Sequence, residues 1–170
     1  RGNQYNEKMV GGKYLGGLIY TAVRELNKNN IFSRNITPLL NEIPTFDTMD
    51  ISNLYINQFD KLSTSMSGFF HKLNAVEQKS FLVIIDVFII RAAQIIAFNL
   101  AGVIKQNENH LDTLKPIIIT AEGSTFWNIF HFRENTELFI NRIFDYKVNF
   151  KIINVDNAPL IGAGIAASLN

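Results

Sequence analysis

Five residues near the start of the chain combine groups that could bind a polar ligand. The amide, the carboxylate, the two adjacent glycines and the ammonium group belong to Gln4, Glu7, Gly11, Gly12 and Lys13. Because glycine has no Cβ, a ligand or another backbone segment can approach it closely. So many such groups close to a chain end, with no initiator methionine ahead of them, suggest one strip of a larger functional site. By spacing alone, Glu7 would more simply lie on the solvated face of a helix.

The composition predicts one globular domain. The chain has 170 residues, of which 47% are hydrophobic and 18% charged, and this length is enough to bury a core. A formal net charge of +1 provides no global field to attract nucleic acid or anionic lipid. The absence of cysteine excludes disulfides, thiolate metal sites and thiol nucleophiles, and it fits an intracellular setting. His71, His110 and His131 show no metal-ligand spacing, so we expect no metal site built from side chains.

One stretch, residues 81–104, is apolar enough to resemble a membrane span. It contains Asp86 and Arg91, however, and a charge at the centre of a bilayer costs about 2.5–3.5 kcal/mol on insertion scales. A buried helix is the better interpretation, with Asp86 and Arg91 at its ends or paired.

The first two thirds of the sequence predict helices. Residues 4–27 follow a 3.6-residue period, although four glycines interrupt the pattern at about 1 kcal/mol each relative to alanine. We expect close approach of a backbone or ligand to account for these glycines. The other predicted segments are a short helix from Pro38 to Pro44, a helix capped by Asp47 or Thr48 and running to about Asn57, a polar loop over 63–67, a helix over 68–74, and a long helix from Glu77 to Gln106.

The last third alternates between strands and helices. The predicted segments are a strand over 116–123, a helix over 133–146, a strand over 149–155, and a final glycine-containing helix from Pro159. This order implies a right-handed parallel crossover. Two parallel strands do not form a stable sheet alone, so we expect an absent N-terminal part or a partner chain to complete it. The open edge could also lead to self-association.

Five motifs, in order along nearly the whole chain, resemble the hexokinase and glucokinase family. They are "GNQYNEKMVGGKYLGGLI", "PTFDTMDIS", "RAAQIIAFNLAGVI", "ITAEGS" and "LIGAGIAA". The resemblance implies a helix-rich α/β fold that is the C-terminal portion of an actin-like ATPase (ribonuclease H-like) domain. Residues 1–170 would be a single, truncated fragment of the hexokinase large domain, with a short parallel β-α-β sheet that is incomplete without the N-terminal part.

The resemblance also implies the activity of the parent protein. It would be a cytoplasmic glycolytic enzyme that transfers phosphate from ATP to the 6-hydroxyl of a hexose such as glucose, with Mg²⁺ bound mainly through the nucleotide. Residue by residue, it places Gln4 and Glu7 at the hexose, whose hydroxyls both donate and accept hydrogen bonds. It places these residues at the nucleotide: Gly12, Lys13, Thr48, Ser52, Gly123, Ser124, Gly162 and Ala163. Helix caps and turns would be simpler roles for Thr48, Ser52 and Gly123.

Two features limit what the resemblance implies. The family's glycine-serine-glycine before the last helix is replaced by Ala158, Pro159 and Leu160, which offer fewer donors to adenosine and indicate a bacterial-type variant. No aspartate here stands in the family's catalytic motif, so we expect the base upstream and the isolated chain to be inactive. The alternative is a non-catalytic relative that binds sugar as a sensor or assembly subunit. A plain helical interaction module would not explain the glycines beside Lys13.

Overall fold

A computed structural model describes residues 4–108 and 114–168. Helices dominate the described residues, and the two strands lie in the last third. In chain order the elements are α1 (Tyr5–Val10), α2 (Gly12–Lys28), α3 (Thr37–Leu40), α4 (Thr48–Tyr55), a 3₁₀ turn (Phe59–Lys61), α5 (Thr64–Lys72), α6 (Ala75–Gln106), β1 (Ile117–Thr120), α7 (Ser124–Asn128), α8 (Phe132–Ile143), β2 (Phe150–Ile153) and α9 (Ala158–Ser168).

The first helical segment is divided at Gly11, so the prediction of one helix over residues 4–27 was wrong. Gly11 has extended backbone angles, and its N–H donates to the Glu7 carbonyl oxygen at 2.7 Å. The chain therefore turns between α1 and α2 at the glycine pair. The sequence pattern had predicted a continuous helix there, with lower helix propensity at the glycines.

The caps of α3 and α4 largely follow the sequence. Pro38 lies in the first turn of α3, where its missing N–H removes no helical hydrogen bond. The helix ends at Leu40, so Pro44 is not what terminates it. Asp47 caps α4, since its Oδ1 accepts a hydrogen bond from the Met49 N–H at 2.8 Å.

The region around Ser63 differs from the prediction. The expected loop over 63–67 and helix over 68–74 are replaced by α5, which begins at Thr64. Ser63 is its N-cap and accepts a hydrogen bond from the Met66 N–H at 3.3 Å. Met66, Phe69 and Phe70 bury one face of α5, and this packing stabilises a helix whose polar first turn suggested a loop.

The long helix α6 begins at a capping box. The Asn74 side chain accepts from the N–H groups of Val76 and Glu77, and the Glu77 carboxylate accepts from the Asn74 N–H. Such reciprocal bonds satisfy the first amides of a helix. The helix therefore begins two residues before the predicted position.

Glu77 is fully buried and is held by a cluster of donors. The Ser33 hydroxyl and the Arg34 guanidinium donate to its Oε1 at 2.7 and 3.2 Å. Burial alone would raise the pKa of this carboxyl, but the hydrogen bonds from Asn74, Ser33 and Arg34 outweigh it and hold the pKa below its ordinary value.

Asp86 and Arg91 lie within α6 and not at its ends. Asp86 accepts a hydrogen bond from the Tyr55 hydroxyl at 2.5 Å, and Arg91 contacts the Met9 sulfur at 3.2 Å. Burial, together with the hydrogen bond to Asp86 and its charge, raises the pKa of Tyr55 to about 12. By length and composition α6 could cross a membrane, although core helices of soluble proteins also meet these two criteria; 39% of its most apolar window is buried.

β1 and β2 pair in parallel, as predicted, with Ile117 opposite Phe150 and Thr120 opposite Ile153. Both strands are shorter than expected, and α7 between β1 and α8 was not predicted. One face of the sheet packs on α6 and α8 through Ile117, Ile119, Phe150 and Ile152. On the other face Ile118 is exposed, and all described residues of α9 also lack full burial.

Candidate functional site

The starts of α2 and α4 are joined through one hydroxyl group. Thr48 Oγ1 donates to the Gly12 carbonyl oxygen at 2.5 Å and accepts from the Gly16 N–H at 2.9 Å. Carbonyl i and N–H i+4 are the groups that pair with each other along an α-helix. The Thr48 side chain therefore bonds to two backbone groups of α2, the Gly12 carbonyl and the Gly16 N–H, that are partners in a regular helical hydrogen bond. These bonds fix α4 against α2.

Two glycines of α2 allow neighbouring segments to approach it closely. A Cβ on Gly16 would overlap the Phe46 carbonyl oxygen, and a Cβ on Gly12 would overlap the Thr125 hydroxyl. Gly16 is buried against the loop before α4, and Gly12 is next to α7. The expectation that close approach explains the glycines is confirmed at these two positions and at Gly11, where a Cβ would lie 2.7 Å from the Glu7 carbonyl oxygen. It is wrong at Gly17, where a Cβ would make only an ordinary contact.

A pocket of about 190 Å³ opens where α2, α4 and α7 begin. Four of the eight predicted nucleotide residues line it: Gly12, Lys13, Thr48 and Ser124. Asp47, Met49, Thr125 and Ile129 complete the wall. Residues separated by more than a hundred positions in the sequence are thus brought together at one place.

The pocket offers donors to an anion. Lys13 is exposed and lies 5.9 Å from the centroid of the Tyr14 ring. Within the described part of the chain, the Lys13 ammonium forms no ion pair and the Ser124 hydroxyl has no hydrogen-bond partner. An ammonium group without an ion-pair partner and a hydroxyl without a hydrogen bond suit phosphate oxygens.

Gly123 lies beside this pocket, in a neighbouring apolar cavity of about 390 Å³. Its φ of 107° is one that residues with a side chain rarely adopt. Gly11 lines the same cavity, and Thr125 lines both spaces. The turn between α1 and α2 is therefore adjacent to the segment that follows the carboxyl end of β1, which is where ligands bind in parallel sheets.

The remaining predicted residues lie elsewhere. Ser52 is only 2% exposed, and its hydroxyl donates to the Asn128 carbonyl oxygen at 3.2 Å, which joins α4 to the end of α7. Gln4 and Glu7 are exposed at α1, with Gln4 in the left-handed region at φ 48°. Gly162 and Ala163 are exposed on α9 and are not among the residues that line the pocket of about 190 Å³ at the starts of α2, α4 and α7.

Sequence reasoning missed Thr125 and assigned Asp47 only as a helix cap. Thr125 follows Ser124 directly, so the step "GST" after the strand was the available signal. Its place against Gly12 depends on how α7 folds back, and no local pattern announces that.

Replacing Thr48 by valine keeps the shape of the side chain and removes both hydrogen bonds. We expect the free energy of unfolding to fall by about 1–2 kcal/mol, since the Gly16 N–H is left without its hydroxyl acceptor. Urea denaturation measures this. Thr21→Val on α2 is the control, because the exposed Thr21 hydroxyl bonds only the Gly17 carbonyl, and its change should stay within about 0.5 kcal/mol. Equal losses in both variants would contradict the bridging role of Thr48.

Comparison with known proteins agrees with the motifs. A family model described as hexokinase matches residues 1–169. A search of the curated proteins found no match. Since the matched region covers nearly all of the chain, the chain belongs to the hexokinase family and corresponds to its C-terminal domain.

Proposed function

We propose that this chain forms part of an ATP-dependent hexokinase that phosphorylates a hexose such as glucose at the 6-hydroxyl. The observation that carries the proposal is the pocket that Gly12, Lys13, Thr48 and Ser124 line together. These residues come from three separate helices, and each has a type that suits a nucleoside polyphosphate. Family membership supports the same reaction class.

In this proposal each residue has a distinct role at the nucleotide. Lys13 provides a positive charge to phosphate oxygens, and Ser124 provides a hydroxyl donor. Gly12 lets Thr125 of α7 pack directly against the start of α2, which brings the Ser124 segment to the pocket. Thr48 holds the two helices at the required separation, while the buried Ser52 positions α4 through Asn128.

Gln4 and Glu7 are our candidates for the hexose. Both side chains are exposed, and a carboxylate and an amide can together accept from and donate to sugar hydroxyls. The Glu7 carbonyl oxygen accepts from Gly11, so the sugar residues are connected to the nucleotide pocket through one short turn. We propose that this turn couples the two ligand sites.

Mg²⁺ would reach the site with the nucleotide. Over residues 4–108 and 114–168, no three His, Cys, Asp or Glu side chains form a group that could hold a metal. Asp47, beside the pocket, already accepts the Met49 N–H. Magnesium commonly keeps several waters and binds through substrate phosphates, which fits a pocket with one carboxylate.

We further propose that residues 1–170 are the C-terminal part of an actin-like large domain, and that the catalytic base and more strands come from an N-terminal part. The exposed Ile118 on the outer face of β1 supports this, because parallel sheets are normally covered on both faces. We also propose that the protein is cytoplasmic, as the resemblance implies.

If the chain self-associates, we expect the open edge of the two-stranded sheet to be the contact.

Lys13→Met tests the nucleotide proposal. We expect it to weaken binding of Mg·ATP to this chain about tenfold, as for the loss of one charge-assisted contact, measured by titration calorimetry. Lys28→Met, at the other end of α2, is the control and should bind as the wild type does. Equal affinity in Lys13→Met and the wild type would contradict the proposal.

The chain alone should show no glucose-dependent ATP consumption in a coupled assay, because the proposed base is supplied upstream. Clear turnover would overturn the division of the site between two parts. Glucose binding without any ATP binding would favour the sugar-sensing alternative.

A further inference from the structure

The outer edge of β2 has backbone groups without a partner strand. The Ile117 N–H donates to the Asn149 carbonyl oxygen at 2.9 Å, and Ile117 lies opposite Phe150 in the parallel pair. Because successive residues of a strand direct their backbone groups to alternate edges, Phe150 and Ile152 direct their N–H and C=O groups away from β1. Within the described residues no other strand pairs with them.

The other edge of the sheet, at β1, has apolar surroundings. Beside the carboxyl end of β1 lies the cavity of about 390 Å³, whose wall includes Ile96 and Leu100 of α6. Such a wall suits further strands that extend the core, as the proposed N-terminal part would supply. That part therefore explains the β1 edge but not the β2 edge.

A groove of about 440 Å³ lies along the β2 edge and has polar walls. One wall is α8, which contributes Glu137 and Asn141, and the other is formed by residues 148–153. Over the described residues the side-chain amides of Asn141 and Asn149 form no hydrogen bond, so both can bond to a polypeptide backbone. Side-chain amides beside unpaired strand groups fit an extended peptide that is added to the sheet.

The groove has one unpaired positive charge. Lys151 is exposed and, in the part of the chain that the structure describes, forms no ion pair. The carboxylate on the α8 wall, Glu137, is paired with Arg133 at 3.7 Å. The charge of the groove therefore favours an acidic segment.

A second copy of this chain does not suit the β2 edge. Antiparallel pairing of two β2 strands through the free groups of both Phe150 and Ile152 would place Lys151 directly opposite its own counterpart. That position is a non-hydrogen-bonded pair, in which side chains approach most closely, and like charges there are destabilising. A carboxylate in the same position would be stabilised.

We propose that the outer edge of β2 binds an extended acidic segment of a partner protein as an added antiparallel strand. The segment exchanges backbone hydrogen bonds with Phe150 and Ile152. It places a carboxylate opposite Lys151 and directs small polar side chains toward Glu137 and Asn141. This surface is separate from the proposed nucleotide pocket, since no residue lines both, and it does not depend on the proposed catalytic function.

The test titrates the isotope-labelled chain with the peptide acetyl-Val-Thr-Glu-Thr-Val-amide and follows the backbone amides by NMR. We expect the amides of Phe150 and Ile152 to shift and to exchange with solvent more slowly. The amides of Lys151 and Ile153 point toward β1 and should change less. The same peptide with N-methyl groups on both threonines lacks the required backbone donors and should not bind.

An exchange of charges tests the role of Lys151. Lys151→Glu should weaken binding of the acidic peptide about fivefold, and it should bind acetyl-Val-Thr-Lys-Thr-Val-amide better than the wild type does. Lys79→Glu, at an exposed lysine on α6, is the matched control and should leave both affinities unchanged. Binding of Mg·ATP should be the same in Lys151→Glu and in the wild type.

Thermal unfolding of Lys151→Glu should match the wild type, because Lys151 is exposed. Equal binding of the acidic and the lysine-containing peptide by the wild type would overturn the proposal, as would binding of neither. Retained affinity for the N-methylated peptide would also overturn it, because backbone pairing would then not hold the segment. Shifts of the Phe150 and Ile152 amides with chain concentration alone would show instead that a second copy occupies the edge.

Discussion

Glu77→Gln is expected to lower the free energy of unfolding by about 2 kcal/mol at pH 7. The carboxylate is fully buried and accepts hydrogen bonds from Ser33, Arg34 and Asn74. A glutamine amide replaces one acceptor by a donor that faces other donors, and it removes the charge that these bonds stabilise. Urea denaturation followed by circular dichroism measures the loss.

The difference in the free energy of unfolding between the wild type and Glu77→Gln should depend on pH. The pKa of Glu77 is lower in the folded chain than its ordinary value of 4.5. Its contribution is therefore fully present above the ordinary value and is lost as the pH falls through the lowered, folded-state pKa. The difference between wild type and Glu77→Gln should be constant near pH 7 and should close in acid.

Glu25→Gln is the matched control for Glu77→Gln. Glu25 pairs with Lys28 at 2.7 Å on the surface of α2, where both side chains are more than half exposed. Exposed pairs of this kind contribute about 0–1 kcal/mol. A loss in Glu25→Gln as large as in Glu77→Gln would mean that burial and the donor cluster do not set the effect.

Gly16→Ala is expected to destabilise the chain by about 2–3 kcal/mol. The added Cβ overlaps the Phe46 carbonyl oxygen, and backbone cannot move aside as the end of a flexible side chain can. The strain should also lengthen the bond between the Gly16 N–H and Thr48. The measurement is the urea midpoint at an unchanged slope, which separates a loss of stability from a change in the unfolded state.

Two other helical glycines provide controls for Gly16→Ala. A Cβ on Gly17 meets only the Thr45 hydroxyl at 3.5 Å, and a Cβ on Gly102 meets nothing within 4 Å. Since alanine has the higher helix propensity by about 1 kcal/mol, both substitutions should be neutral or stabilising. Destabilisation of all three variants by the same amount would contradict the close-contact explanation.

The sequence predicted the elements whose signals are local. Asp47 and Thr48 were the two candidate caps for α4, of which Asp47 is the cap, and the β-branched runs identified both strands, because caps and strand patterns depend on near neighbours. The glycines near Lys13 indicated close packing, although not what would pack there. The family motifs selected Gly12, Lys13, Thr48 and Ser124, which one pocket brings together.

The errors arose where tertiary contacts decide. Ser63 and the small residues after it suggested a loop, yet the spacing of Met66, Phe69 and Phe70 gives α5 a buried face. Lys151 was not singled out, because a strand pattern does not reveal which edge of the sheet stays open or what lines it.

The Thr48 bridge has a consequence for how a ligand is received. The Thr48 hydroxyl makes hydrogen bonds to two backbone groups of α2. The starts of α2 and α4 around Lys13 are therefore already held in their relative positions before anything binds. A ligand that enters there does not have to order the backbone first, so the entropic cost of association is confined largely to the ligand and to the Lys13 side chain. Such a preorganised surface should bind with little change in backbone dynamics, and the Lys13 side chain should be the part that loses freedom.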